Sequence, residues 1–306
     1  MADHSRPVNK IIVLGSTGNV GVAAVNALAA HPADFTITAV TRDKSKAKFP
    51  SKVLVVESDL SKSSLQSLFR NQDAVVSCLA TFAVEQQRDI VDTALKAGVA
   101  RFIPSEYGLD YTGPDAIDWF PVIKPKVENL NYLRQFQNQM SWTTFVVGSF
   151  FDLKFQGPEI FGFDMAANKV TIFDGGNVEF EASTLSRIGE AIAAALSPGH
   201  LSDTANQVVF VNSFTTTQNE IVAALQNITK RRLEVEHDTT AAFRKRALKA
   251  LEDDPEDWKP VGDLITASVY GQGDLNQYSK SPGLWNERLG LGKEDLVESM
   301  EKALGV

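Results

Sequence analysis

Apolar residues in the first half of this chain come in short blocks. Between the blocks, apolar positions recur every three or four residues. The blocks 10–14, 35–41, 53–57, 74–78, 101–104 and 143–147 are short, apolar and often β-branched. Strands buried on both faces read this way. The intervening stretches 20–31, 63–69, 83–97 and 126–137 carry the period of amphipathic helices. Pro32 stops the first and Gly98 the third. Strand and helix in repeated alternation predict a parallel sheet with right-handed crossovers, a Rossmann-like doubly wound α/β fold.

Beyond residue 150 the pattern loosens. Residues 168–184 alternate around Asp174, Gly175, Gly176 and Asn177, which reads as a hairpin. A strand over 207–211 precedes a helix opened by the capping box of Thr217 and Glu220. Residues 253–292, rich in Gly, Pro and Trp, read as loops. A last helix over 294–304 is expected to bury Leu296, Val297, Met300 and Leu304. The expected division is a dinucleotide-binding domain over 1–151, continued by 183–235, and a smaller substrate lobe from 152–182 and 236–306.

Composition narrows the classes. The 306 residues are 43% hydrophobic, enough for a large core, and 38 acidic against 30 basic residues give a charge of -8. An acidic chain without a basic run argues against a nucleic-acid partner. No apolar run approaches the roughly 18 residues of a membrane span. The polar start of the chain has no signal-peptide core. The single cysteine, Cys78, lies in an apolar block and reads as a buried thiol. A cytoplasmic protein without a membrane partner is the expectation, with the oligomeric state open.

The chemistry begins at Gly15, Gly18 and Gly21, three apart in the turn between the first strand and the first helix. Such a turn aims free N–H groups and the positive end of a helix dipole at one point, where a pyrophosphate fits. Gly15 permits the tight turn, Gly18 the close approach, and Gly21 the packing of helix on strand. Thr17, Asn19 and Val20 complete the cofactor-facing turn. At the end of the second strand, where an acid would favour NAD, the chain reads Thr41-Arg42-Asp43-Lys44 with Lys46 beyond. Arg42 and Lys46 favour a 2′-phosphate and therefore NADP, although Asp43 keeps NAD open. Asp59 and Leu60, after the third strand, stand where an adenine edge would lie; a helix cap is the other reading of Asp59.

Metal sites are not expected, because His4, His31, His200 and His237 are scattered. No G-x-S-x-G elbow occurs. Nor does any tyrosine have a lysine four residues later: Tyr107, Tyr111, Tyr132, Tyr270 and Tyr278 are followed at that spacing by Tyr, Asp, Phe, Asp and Pro.

The ordered segments "GSTGNVG", "TALKAGVARFIPSEYG", "PVIKPKVENLNYL" and "WTTFVVGSFFD" resemble the isoflavone-reductase-like family, which includes the NmrA-like proteins, and in particular its fungal members. The family is a branch of the atypical short-chain dehydrogenases. The resemblance runs from residue 10 to about 230, with 236–292 matched only loosely. It implies a lysine beside the nicotinamide ribose as general acid or base. Lys126 fits the spacing to Tyr132 and Leu133, and Lys124 fits almost as well. A lysine desolvated against a cofactor can lose its proton near neutrality. By the same resemblance Leu79, Ala80 and Thr81 pass the nicotinamide ribose and Gln86 faces the cofactor. Gly148, Ser149, Phe150 and Phe151 end the sixth strand at the ligand-binding edge. Glu106 can orient the lysine, take a proton, or cap the next segment. Phe150, Phe151, Phe155, Phe161 and Phe163 either wall an aromatic pocket or pack the core. Arg187 stands where members often have Asp, putting a local salt bridge in doubt.

The resemblance implies an NADP-dependent oxidoreductase acting on a small aromatic or heterocyclic secondary metabolite. A redox-neutral or cyclising enzyme with bound NADP, and a non-catalytic NAD(P) redox sensor, are the alternatives.

Overall fold

The computed structural model describes residues 6–80, 86–155, 161–255, 257–271 and 275–306. Six of the predicted strands are present: β1 (Lys10–Leu14), β2 (Thr36–Thr41), β3 (Leu54–Glu57), β4 (Ala74–Ser77), β5 (Arg101–Ile103) and β6 (Ser141–Val146). With β11 (Gln207–Phe210) they form one parallel sheet in the order β11-β6-β5-β4-β1-β2-β3. The order reverses between β1 and β4. Their crossovers are α1 (Asn19–Ala30), α2 (Lys62–Leu68), α3 (Gln87–Ala97) and α5 (Lys124–Gln135), with a short α4 (Ala116–Trp119) before the last. The part of the third predicted helix at 83–85 lies outside the described residues.

The sheet is buried on both faces because β1 sends its side chains both ways. Ile12 and Leu14 join one apolar cluster with Val75, Phe102 and Leu130. Ile11 and Val13 join another with Val25, Ile37 and Ile192. The edge strand β3 is only half covered, and Leu54 is exposed.

Two small sheets follow, β12-β10-β7 and β13-β9-β8, from β7 (Ser149–Phe150), β8 (Phe163–Asp164), β9 (Lys169–Phe173), β10 (Phe180–Ser183), β12 (Phe214–Thr216) and β13 (Glu234–Asp238). The predicted hairpin over 168–184 is therefore wrong. β9 pairs in parallel with β13, some sixty residues later, while β10 pairs with β7 and β12. The turn residues instead form a 3-10 turn, Asp174–Gly176, whose Asp174 carboxylate binds Thr240.

Helices α6 (Leu185–Leu196), α7 (Gln218–Thr229), α8 (Thr240–Asp253), α9 (Trp258–Tyr270) and α10 (Leu296–Leu304) complete the chain. The capping box of Thr217 and Glu220 opens α7. The segment read as loops contains α9, which buries Tyr270 between Phe173 and Phe180. In α10 Met300 is fully buried, but Val297 faces outward, 39% exposed. Arg187, which put a local salt bridge in doubt, makes salt bridges of its own with Glu294 and with Glu190. Nearly fully buried, it donates through Nε to Glu294 Oε2 at 3.1 Å and through Nη2 to the Gly292 carbonyl. Among the described residues no helix is long and apolar enough to cross a membrane.

Candidate active site

All strands of the large sheet run in parallel, so the turns after β1, β4, β5 and β6 lie along one carboxyl edge. The glycine turn occupies the point where the strand order reverses. Gly15 has φ +69°, and a Cβ there would sit 2.4 Å from the Cys78 carbonyl oxygen at the end of β4. A Cβ on Gly21 would sit 2.2 Å from the Gly15 carbonyl oxygen. Gly21 thus lets α1 pack on its own entry loop, not on the strand as first expected. Gly18 differs: a Cβ there would meet nothing closer than 3.4 Å. The fold does not demand glycine at 18. Gly18 is also the N-cap of α1 and offers no side-chain cap, so the bare helix end fits an anion.

Around this turn, Ser16 is held by the Val40 carbonyl and Thr17 Oγ1 lies 3.1 Å from Thr41 Oγ1. Asn19 is exposed, whereas the Val20 side chain is buried. After β2, Asp43 accepts from the backbone N–H and hydroxyl of Ser45, at 2.9 and 2.6 Å, which holds its carboxyl below the ordinary value. Lys46 lies 3.8 Å from the same carboxylate. Arg42 is exposed and has no partner among the described residues. Asp59 binds the N–H of Ser61, forming a turn; the N-cap of α2 is Ser61 itself. Leu60 packs on the core.

A chain of contacts runs from the glycine turn to the lysine. The Leu79 carbonyl, next to Cys78, accepts from Ser105 Oγ at 2.7 Å. The Ser105 N–H donates to Gln87 Oε1 at 2.7 Å, and Gln87 Nε2 donates to Glu106 Oε1 at 3.0 Å. Glu106 Oε2 then faces Lys126 Nζ at 3.8 Å. Glu106 is fully buried and Lys126 is 18% exposed, whereas Lys124 is 63% exposed and among the described residues pairs with Glu128. Lys126 shares a helix face with the buried Leu130 and Leu133, which turns it inward. Burial pushes the Glu106 carboxyl up to about 7, against the opposing pull of Lys126, Gln87 and Asn129. No backbone N–H among the described residues reaches that carboxylate, so Glu106 is not a cap.

Gln87 and Asn129 escaped the sequence reading. Gln87 stands on the stripe of Ile90, Val91 and Ala94, where an amide must find partners. The residue singled out, Gln86, is exposed, and so is Ala80. Thr81 lies outside the described residues. Gly148 turns the chain into β7, Ser149 donates to the Glu181 carbonyl, and Phe150 packs against the second cluster. The aromatic wall is mostly core. Phe151 is fully buried between Phe155 and Phe214, with its N–H donated to the Ser183 carbonyl. Phe161 and Phe163 are buried as well. Among the described residues no group of three or more His, Cys, Asp or Glu is placed to hold a metal.

The arrangement defines an open, doubly wound α/β protein with a glycine turn at its switch point and a buried acid–lysine pair beside it. The NmrA-like family model matches residues 7–255, and the chain belongs to that family. The oxidoreductase aprR of Aspergillus flavus is 35% identical over 224 residues, covering 72% of this chain and 74% of that protein. This similarity places the chain among the family's oxidoreductases. Two solved structures share the fold. A crystal structure of isoflavone reductase has a TM-score of 0.68 at 22% identity, covering 96% of this chain and 99% of the other. Citrobacter sp. triphenylmethane reductase, complexed with NADP(H), has a TM-score of 0.69 at 18% identity, with the same coverage.

Proposed function

We propose that this chain is an NADP-dependent oxidoreductase acting on a small aromatic or heterocyclic molecule, with Lys126 as general acid or base and Glu106 as its proton partner. The observation that carries this reading is the unbroken string of contacts from the Gly15 turn to Lys126. The groove fits the cofactor. Gly18 leaves room the fold does not require, the end of α1 has no side-chain cap, and Arg42 is unengaged while Asp43 is occupied. When bound, NADPH would supply a hydride. The bare turn would hold its pyrophosphate and Arg42 its 2′-phosphate.

Lys126 then exchanges a proton with a substrate oxygen, and Glu106 beside it can return or take up that proton. The substrate lobe is formed by 152–182 and 236–306. The test follows NADPH absorbance under a panel of aromatic carbonyl and conjugated substrates. Lys126→Ala should retain NADPH binding and lose turnover, while Lys124→Ala keeps both. NADPH binding without turnover on any substrate would point to a redox sensor and defeat the reading.

A further inference from the structure

Gln87 is fully buried, and both ends of its amide are committed. A backbone N–H can only donate, so the Ser105 N–H fixes which end of the amide is oxygen. The –NH₂ end must therefore point at Glu106 Oε1, 3.0 Å away. An oxygen that accepts from an amide N–H on that line cannot also direct a proton along it. Glu106 Oε2 is left; it is buried and faces Lys126 Nζ at 3.8 Å.

We propose that Gln87 is a positioning residue that assigns the proton of Glu106 to the oxygen facing Lys126, making the carboxyl a directed proton donor to that amine. The proposal rests on the reading of Lys126 as general acid or base. After Lys126 has given a proton to substrate, the Oε2–H bond breaks and an Nζ–H bond forms. The carboxyl becomes carboxylate, the amine becomes ammonium, and no other atom changes. The reverse transfer serves oxidation. The 3.8 Å separation is long for a transfer, which requires the two atoms to come within hydrogen-bond distance. Without the Gln87 donor, the proton could sit on either oxygen, and the one bound to Oε1 would point away from Lys126.

The charged group facing Glu106 is Lys126, from α5. Tyr107 and Tyr111 also feel its charge, but burial holds both phenols well above their ordinary value, so neither titrates with it. Its titration can therefore be followed in cofactor-free protein. In the infrared, the protonated carboxyl band assigned by its loss in Glu106→Gln should rise in frequency in Gln87→Met, because the carbonyl has lost its donor. The carboxyl's proton affinity should rise about tenfold or more. In wild-type protein, the Gln87 side-chain amide resonance should move with pH along the same curve, and stay flat in Glu106→Gln.

An unmoved band in Gln87→Met, or a Gln87 resonance indifferent to Glu106, overturns the proposal. If Gln87→Met does not fold, the wild-type amide titration decides alone. Neither measurement needs turnover, so a protein that reduces nothing would sink the functional reading and leave this result standing or falling separately.

Discussion

Asp43 is bound by its own neighbour: the backbone N–H and the hydroxyl of Ser45 both reach one carboxylate oxygen. The acid that kept NAD open is therefore engaged, and Arg42 beside it is not. Arg42→Ala should weaken NADPH binding roughly tenfold to a hundredfold, the range of a hydrogen bond to a charged group, and leave NADH binding unchanged. Titration of both cofactors by fluorescence checks this. Equal losses for the two would show that Arg42 does not read the phosphate.

Gly21 and Gly18 should separate by substitution. Gly21→Ala forces a Cβ onto the Gly15 carbonyl, an overpacking that costs about 1–3 kcal/mol and lowers the melting temperature. Gly18→Ala meets no such contact; as an N-cap change it should lower the melting temperature less than Gly21→Ala does, while losing NADPH affinity. Thermal unfolding with and without NADPH distinguishes the two. A Gly18→Ala protein that binds normally would remove the phosphate site from this turn.

Glu106 makes stability depend on pH in a defined direction. Its carboxyl is raised from 4.5 to about 7, so the folded protein holds a proton that the unfolded chain has released. That contribution is complete below 4.5, falls as pH climbs through the interval, and is gone above about 7. The whole effect is on the order of 3 kcal/mol. Urea midpoints below and above the interval should show the decline in wild-type protein and a flatter profile in Glu106→Gln. A decline of equal size in both would place its origin elsewhere.

The buried pair of Arg187 and Glu294 ties α6 to the segment before α10. Removing only the arginine strands a half-buried carboxylate, also bound by Thr184 and Ser213. Arg187→Met should cost about 3 kcal/mol. Arg187→Met combined with Glu294→Gln should recover a good part of it. Chemical unfolding of the two variants measures the difference, and a double variant no better than the single one would refute the pairing.

Much of the fold was legible because its signals are local. The apolar blocks marked strands with no solvent face, and β1 carries out that reading by feeding both clusters. The hairpin failed for a complementary reason. Turn residues at 174–177 announce a change of direction, but not which strand comes to lie beside β9, and β13 does.

The chain alone determined what depends on neighbours in sequence: strand and helix alternation, the glycine turn, the arginine after β2, and two candidate lysines two residues apart. Tertiary structure sets those lysines apart, since α5 turns Lys126 inward over Leu130 and Leu133 and leaves Lys124 in solvent. It also brought Gln87 from α3 to the end of β5, where a buried amide has to satisfy Ser105 and Glu106 together. The physical reason is desolvation. Whether a polar group loses its water, and what replaces it, is set by side chains distant in sequence that only packing brings together.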